Sequence, residues 1–444
     1  MLKFGTDGVR GIANLDLTPE LVTAFGRAAA RVLGVQRAVV GRDTRRSGPL
    51  LEAALVAGLA AEGVEVTTLG VVPTPVVAWL SATEERLGAV ISASHNLFED
   101  NGVKLFVNGG KLSDEVEAAL EAELGALLLG DRSAPARTGG EVGTVVDDLA
   151  ASGRWAESVT ASIDGRRLDG LRVVVDCANG AASRLAPDAL RSLGATVAVL
   201  HDAPDGSNIN AGCGSTDPTD LQRAVVQSDA DVGIAFDGDA DRVLAVDAHG
   251  RLIDGDQIIA VLAIDRRARD RLAHGTVVVT VMSNLGFRLG MAEHGIEVLE
   301  VPVGDRHVLA ALHAQGLSLG GEQSGHVIFA DLATTGDGLL TAVQLLDVVQ
   351  RSDRSLGELA DVAMTRLPQV LRNVPITNKD LDVSVALAAE IAAAVEELGD
   401  HGRVLIRGSG TEPLVRVMVE APSLAAAEAV AARLVEAVEG LGVS

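Results

Sequence analysis

Val232-Gly233-Ile234-Ala235-Phe236-Asp237-Gly238-Asp239-Ala240-Asp241-Arg242 is a short apolar run that empties directly into three aspartates and an arginine. An uncharged stretch of this length suits a strand buried on both faces, as in a parallel sheet. Polar loops that follow such strands lie at their carboxyl ends, where open α/β sheets bind ligands. The same passage from strand to loop occurs twice more, at Ser92-Ala93-Ser94-His95-Asn96 and at Gly321-Glu322-Gln323-Ser324-Gly325-His326. Each lies roughly 40 to 60 residues beyond a Val-rich strand, and those strands are Ala38-Val39-Val40, Val173-Val174-Val175 and Val277-Val278-Val279. A coarse threefold repeat of α/β units is therefore expected, with three loops converging on one cleft.

The rest of the chain fits that scheme. Thr18-Pro19-Glu20 opens a helix by capping, by a fixed φ and by a favourable charge, and Gly34 stops it. A strand follows at residues 38–41, then a helix over residues 49–61. Such alternation is the signature of α/β layers. The last ~75 residues differ. Residues 381–399 read as an Ala-rich helix, Arg403–Arg407 and Leu414–Val419 as strands, and a further helix starts at Ser423. The expected domains are 1–150 (carrying Ser94), 151–253 (the aspartate loop), 254–368 (the Glu322 loop) and a smaller α+β domain, 369–444.

Composition narrows the function. Of 444 residues 48% are apolar but only 2% aromatic, with no Tyr, so Ala, Val, Leu and Ile must build the cores. The net charge of −24 and the lack of a Lys/Arg cluster exclude a nucleic-acid binder. A ligand bearing phosphate would need a locally basic site on so acidic a protein. Two cysteines, Cys177 and Cys213, form neither a disulfide framework nor a metal-ligand pair. No apolar run reaches the ~20 residues that span a bilayer. The N-terminus lacks the apolar core of a signal peptide, so a cytoplasmic protein is expected.

Asp237, Asp239 and Asp241 would repel one another unless a cation neutralised them. Oxygen donors without His or Cys select Mg²⁺ or Ca²⁺. A calcium loop would want Gly and Glu where Arg242 and Ala248 stand. A solvated acidic turn is the bland alternative. Ser94 beside His95 is weak evidence of a nucleophile by itself, since such pairs are more often turns or caps. Lys104, in Asp100-Asn101-Gly102-Val103-Lys104, could neutralise phosphate or exchange protons. Arg407-Gly408-Ser409-Gly410-Thr411, with Arg416 on the next strand, can cradle an anion, although a plain glycine-rich turn would read the same. Glu322 and Ser324 offer an acceptor and a hydroxyl of the kind sugar recognition needs. No P-loop and no dinucleotide fingerprint is present, so nucleotide cofactors are not expected.

Taken in order from Phe4-Gly5-Thr6-Asp7-Gly8-Val9-Arg10-Gly11 to Arg416, these motifs resemble the α-D-phosphohexomutase superfamily over nearly the whole chain. The resemblance implies three similar α/β domains with mixed sheets and a smaller C-terminal domain, heart-shaped around a central cleft. It implies that Ser94 carries the phosphoryl group and that Asp237, Asp239 and Asp241 hold Mg²⁺ together with an oxygen of the Ser94 phosphate. Glu322 and Ser324 would read sugar hydroxyls, and Arg407, Ser409, Gly410, Thr411 and Arg416 would anchor the non-reacting phosphate. Lys104, His326, His95, Arg10 and Arg242 would surround the reacting phosphate, with the acid and base roles of Lys104 and His326 left open.

Gln323 and the opening motif look like the glucosamine branch. That branch interconverts glucosamine 6-phosphate and glucosamine 1-phosphate through a glucosamine 1,6-bisphosphate, feeding UDP-N-acetylglucosamine and cell-wall precursor synthesis. The implied partner is a small phosphosugar, with no nucleic acid and no membrane, and a homodimer is left open. Two departures from the pattern stand out: Leu97 where Pro usually follows Ser-His-Asn, leaving the loop less rigid, and Ala240 where Gly is common. The competing readings are a phosphomannomutase or phosphoglucomutase, an aspartyl-phosphate phosphatase (whose D-x-D-x-[TV] pattern fails at Asp241), and a non-catalytic phosphosugar or divalent-ion binding protein.

Overall fold

The computed structural model describes residues 8–130, 135–376, 383–408 and 414–441. They form two compact units, Met1–Val281 with Ile296–Ala360, and Met282–Gly295 with Asp361–Ser444. Three sheets belong to the first unit. The first holds β1 (Val9–Ile12), β2 (Arg37–Arg42), β3 (Glu65–Val71), β4 (Leu87–Ile91), β5 (Asp100–Val107), β6 (Gly110–Lys111) and β7 (Val145–Asp147), in the order β1-β5-β4-β2-β3-β7, with β6 on β5. The second holds β8 (Arg172–Asp176), β9 (Thr196–Leu200), β10 (Val232–Phe236), β11 (Val243–Asp247) and β12 (Leu252–Ile253), in the order β12-β11-β10-β8-β9. The third holds β13 (Thr276–Thr280), β14 (Glu297–Val301), β15 (Leu319–Gly321) and β16 (Val327–Phe329), in the order β14-β13-β15-β16.

The expected repeat is a repeat of topology. In each sheet a central strand (β2, β8 or β13) pairs in parallel with the next strand on one side and with the third strand on the other. The fourth strand (β5, β11 or β16) then turns back antiparallel to the third. The tight return between third and fourth strands comes at the carboxyl end of the parallel strands. That return is Ser92–Glu99, Asp237–Arg242 and Glu322–His326 in turn, so three unrelated polar sequences occupy one topological position. β4, β10 and β15 are buried throughout, which is why their residues are apolar and small rather than alternating.

The first helix, Pro19–Leu33, begins where expected: Thr18 Oγ1 accepts from Leu21 N at 3.3 Å, and Gly34 ends it in the left-handed region at φ 63°. Its stripe of Val22, Phe25, Ala28 and Ala29 packs with Leu51, Leu55 and Leu59 of the helix Gly48–Ala61. Helices this rich in alanine approach closely, and Gly26 and Gly58 lie where a Cβ would meet the facing helix backbone at 2.6 and 2.2 Å.

The second unit is built on β17 (Gln369–Pro375), β18 (Arg403–Gly408) and β19 (Leu414–Glu420), antiparallel in the order β17-β19-β18, with the helix Leu424–Gly440 packed on them. The single helix expected over residues 381–399 is two, Val383–Ala386 and Ala388–Leu398. Leu387 between them, 2% exposed, leaves the helical region at ψ 23° while its side chain stays in the core, so packing overrides alanine's propensity there. Helix Leu285–Glu293 also belongs to this unit, where Leu285 N donates to the buried Glu420 at 2.8 Å. Among the described residues no helix is long and apolar enough to cross a membrane.

Candidate functional site

Ser94 is 1% exposed and sits in the left-handed region at φ 51°, an unfavourable conformation for a residue with a Cβ. Its Oγ donates to Asp237 Oδ2 at 2.7 Å, joining the first and second returning loops. Gly238 permits this approach, since a Cβ there would lie 2.7 Å from Ser94 O. Asp237, Asp239 and Asp241 each turn a carboxylate oxygen to a common point, with those oxygens within 4.8 Å of one another.

The cations around the trio are unevenly shared. Lys104, on β5, donates to Asp239 Oδ2 at 2.7 Å and to Asp241 Oδ2 at 3.4 Å. Asp239 Oδ2 also accepts from Thr74 Oγ1 at 2.7 Å. Asp239 Oδ1, though buried, has no hydrogen-bond partner among the described residues. Burial, and then the charges of Asp241 and Asp239, push the Asp237 carboxyl well above the usual range. Burial would do the same to Asp241, but Lys104, His326 and Arg242 outweigh it and hold that carboxyl well below the usual range. Three buried carboxylates with an orphaned oxygen and only oxygen donors fit a hard divalent cation. Lys104 alone cannot neutralise them.

His95 and His326 have opposite environments. Burial lowers the His95 pKa to about 4, helped by the charges of Arg242 and Arg10. Arg242 Nη1 donates to His95 Nδ1 at 3.1 Å, which requires that nitrogen unprotonated, so the neutral ring and the geometry agree. His326 is buried, which alone would lower its pKa, but Asp241 and Asp305 raise it. Its Nδ1 lies 3.7 Å from Asp241 Oδ1 and its Nε2 lies 3.3 Å from Asp305 Oδ2. Gly336 N–H points at the same Nε2 from 3.2 Å, which would want that nitrogen bare. The two carboxylates favour the charged ring, while burial and the Gly336 N–H favour the neutral one.

Ser94, Asp241, Arg242, Gly304, Asp305, Glu322 and His326 line a cavity of about 170 Å³. Glu322 Oε1 accepts from Gly304 N at 3.1 Å, and Ser324 is exposed. Arg10 on β1 pairs in register with Gly102. Ser94, His95, Lys104, the three aspartates, Arg242, Glu322 and His326 are thus brought to one neighbourhood of the first unit.

The phosphate-anchoring expectation falls in the second unit. Ser409, Gly410 and Thr411 lie outside the described residues. Arg407 and Arg416 face each other across β18 and β19, and burial together with the Arg416 charge lowers the Arg407 pKa.

Sequence reasoning passed over Asp305, Thr74, Asp43, Arg45 and Asn210. Asp305 carried a signal, since Gly304-Asp305-Arg306 opens the helix Asp305–Gln315 after β14. Asp43 and Arg45 follow β2, another parallel strand, at the carboxyl end where ligand loops lie. A second donor group, Asp176, His201 and Cys213, gathers at the ends of β8 and β9. There Asp176 Oδ2 and His201 Nδ1 pair at 3.0 Å, while burial pushes the Cys213 thiol up to about 12, so no thiolate is offered.

Four family profiles match the chain in order. They are phosphoglucomutase/phosphomannomutase alpha/beta/alpha domain I over residues 1–128, domain II over 154–250, domain III over 254–367, and the C-terminal domain over 371–437. The phosphoglucosamine mutase of Thermobifida fusca is 55% identical, with 98% of this chain and 97% of that protein covered. That of Acidothermus cellulolyticus is also 55% identical, with 99% and 96% covered. A phosphoglucomutase/phosphomannomutase family protein from Burkholderia thailandensis superposes with a TM-score of 0.82 at 27% identity, with 98% of this chain and 97% of that one covered. Aspergillus fumigatus N-acetylphosphoglucosamine mutase, solved with GlcNAc-6P and magnesium, shares the fold, with a TM-score of 0.70 at 20% identity over 99% and 95% of the two chains.

Proposed function

We propose that this chain, which belongs to the phosphoglucomutase/phosphomannomutase family, interconverts glucosamine 6-phosphate and glucosamine 1-phosphate through a phosphorylated Ser94. The observation that carries this reading is Ser94 Oγ, buried and 2.7 Å from a trio of convergent carboxylates. The choice of glucosamine is supported by Gln323 within the Glu322 loop and by relatives 51% to 55% identical that bear the phosphoglucosamine mutase name. The profile limits support domains of 1–150, 151–253, 254–368 and 369–444.

In the proposed reaction a free sugar hydroxyl attacks the phosphorus on Ser94. The bond from phosphorus to Ser94 Oγ breaks as one to the sugar oxygen forms, the hydroxyl proton passes to a protein base, and a protein acid returns a proton to the leaving Ser94 Oγ. The product is glucosamine 1,6-bisphosphate, which turns over; its other phosphate returns to Ser94 by the same step reversed. A divalent cation, Mg²⁺ in this proposal, held by Asp237, Asp239 and Asp241, supplies neutralisation of phosphoryl charge. Arg242, Arg10 and Lys104 add fixed positive charge around the reacting group, and His95 is held neutral by burial, with Arg242 and Arg10 assisting. His326, whose pKa Asp241 and Asp305 raise against burial, is placed to exchange a proton with the reacting groups. Glu322 orients the sugar as an acceptor, and Arg407 with Arg416 holds the phosphate that is not reacting.

The test has two parts. Intact-protein and peptide mass spectrometry should find one phosphate on the Ser94 peptide. Turnover of glucosamine, glucose and mannose phosphates, each primed with a sugar bisphosphate, should favour glucosamine. A preference for the hexose phosphates would instead favour the phosphomannomutase or phosphoglucomutase reading, and an unmodified Ser94 with no turnover of any sugar would refute the mutase.

A further inference from the structure

Arg45 has a fully buried side chain, yet it touches none of the proposed reacting groups directly. Apart from Nε, its guanidinium reaches the loop that carries Ser94 and the start of the strand that follows it. Nε donates to Asp43 Oδ2 at 2.8 Å. Nη1 donates to the carbonyls of Leu97 and, at 3.1 Å, of Asp100. Nη2 donates to the carbonyls of Ser94 at 2.9 Å and of Asn96 at 2.8 Å. All five N–H donors of the guanidinium are therefore used, four of them on consecutive turns of one loop. A planar fork is required for this, and a lysine ammonium has only three donors.

The same loop is gripped twice more. Asp43 also accepts from Ser92 Oγ at 2.6 Å, and that hydroxyl accepts from Ser94 N at 2.9 Å. From the second sheet's side, Asn210 Nδ2 donates to Ser94 O at 2.8 Å and to Asn96 O at 2.9 Å. The carbonyls of Ser94 and Asn96 are each held by both Arg45 and Asn210, and those of Leu97 and Asp100 by Arg45, while the Ser94 hydroxyl is the group turned toward Asp237. A left-handed serine would relax if released, and Leu97 lacks the ring that would fix φ locally.

We infer that Arg45, assisted by Asn210, is a positioning residue for phosphoryl transfer: it holds the Ser94 loop by its carbonyls so that Oγ stays aligned with the aspartate trio. This rests on the mutase reading given above. Misplacing a reacting atom by about 1 Å can cost ~100-fold in rate, so Arg45→Lys should lower kcat ~100-fold while KM for the phosphosugar changes little. Asn210→Ala, which leaves the guanidinium in place, should lower kcat by a smaller factor, on the order of tenfold.

The experiment compares wild type, Arg45→Lys, Arg45→Gln and Asn210→Ala for kcat, KM, and amide hydrogen exchange of the peptide spanning residues 92–102. The expected result is faster exchange confined to that peptide, a loss in kcat without a matching rise in KM, and Arg45→Lys less impaired than Arg45→Gln. Two results would overturn the inference: Arg45→Lys and Asn210→Ala with wild-type kcat, or exchange raised throughout the first unit, which marks a general folding role. If the wild type itself shows no mutase turnover, the functional reading falls, while the exchange of residues 92–102 still decides whether Arg45 holds the loop.

Discussion

Asp337 caps the helix Gly338–Ser352, its Oδ1 accepting from Leu340 N at 2.9 Å, and it lies between two residues that touch the site. Gly336 N–H contacts His326, and Gly338 N donates to Ala240 O at 3.0 Å. Burial raises the Asp337 carboxyl from 3.8 to about 7, against the opposing hydrogen bonds of Leu340, Leu339 and Trp155. Below about pH 4 the folded and unfolded chains both carry the proton. Between about pH 4 and 7 the unfolded chain gives it up while the folded one keeps it, so each step upward in pH favours unfolding. A difference of about three pH units corresponds to ~4 kcal/mol, present in full at pH 4 and lost by about pH 8. Asp337→Asn keeps the capping oxygen and removes the charge. Relative to wild type the variant should gain up to ~4 kcal/mol between pH 4 and 8, with most of the gain arriving by pH 7. Urea unfolding followed by tryptophan fluorescence measures this, because both tryptophans, Trp79 and Trp155, belong to the first unit. A stability difference between the two proteins that stays flat from pH 4 to 8 would refute the reasoning.

Three further outcomes are expected. Mg²⁺ at 100 times its dissociation constant should stabilise the first unit by ~2.7 kcal/mol, and Asp239→Asn should lose most of that gain; an equal shift in both proteins would remove Asp239 from the ligand set. Ala240 occupies the left-handed region at φ 56°, where a Cβ costs ~1–2 kcal/mol, while glycine's extra unfolded freedom takes back ~0.5–1 and the lost buried methyl ~0.8, so Ala240→Gly should leave stability within about 1 kcal/mol of wild type in the same urea assay. A loss of ~2 kcal/mol or more would contradict the strain argument. Arg407→Ala should raise KM for the phosphosugar far more than it lowers kcat, and steady-state kinetics with unchanged KM would remove it from phosphate anchoring.

Much of this protein can be read from its residues alone because the readable features are local. An apolar run followed at once by Asp237, Asp239 and Asp241 states both a buried strand and a concentration of charge that needs a cation, and no distant residue can change either fact. Thr18, Pro19 and Gly34 likewise set the limits of their helix through contacts a few residues apart. Only the tertiary structure decides what meets what. That Ser94 Oγ reaches Asp237, that His326 lies between Asp241 and Asp305, and that Arg45 spends four of its five guanidinium N–H groups on carbonyls 49 to 55 residues away all depend on strands paired across long stretches of chain. Backbone carbonyls carry no sequence signature, so a side chain whose partners are carbonyls is invisible until the chain folds. The opposite pKa shifts of His95 and His326 are hidden for the same reason, since burial and neighbouring charge, and not residue type, set them.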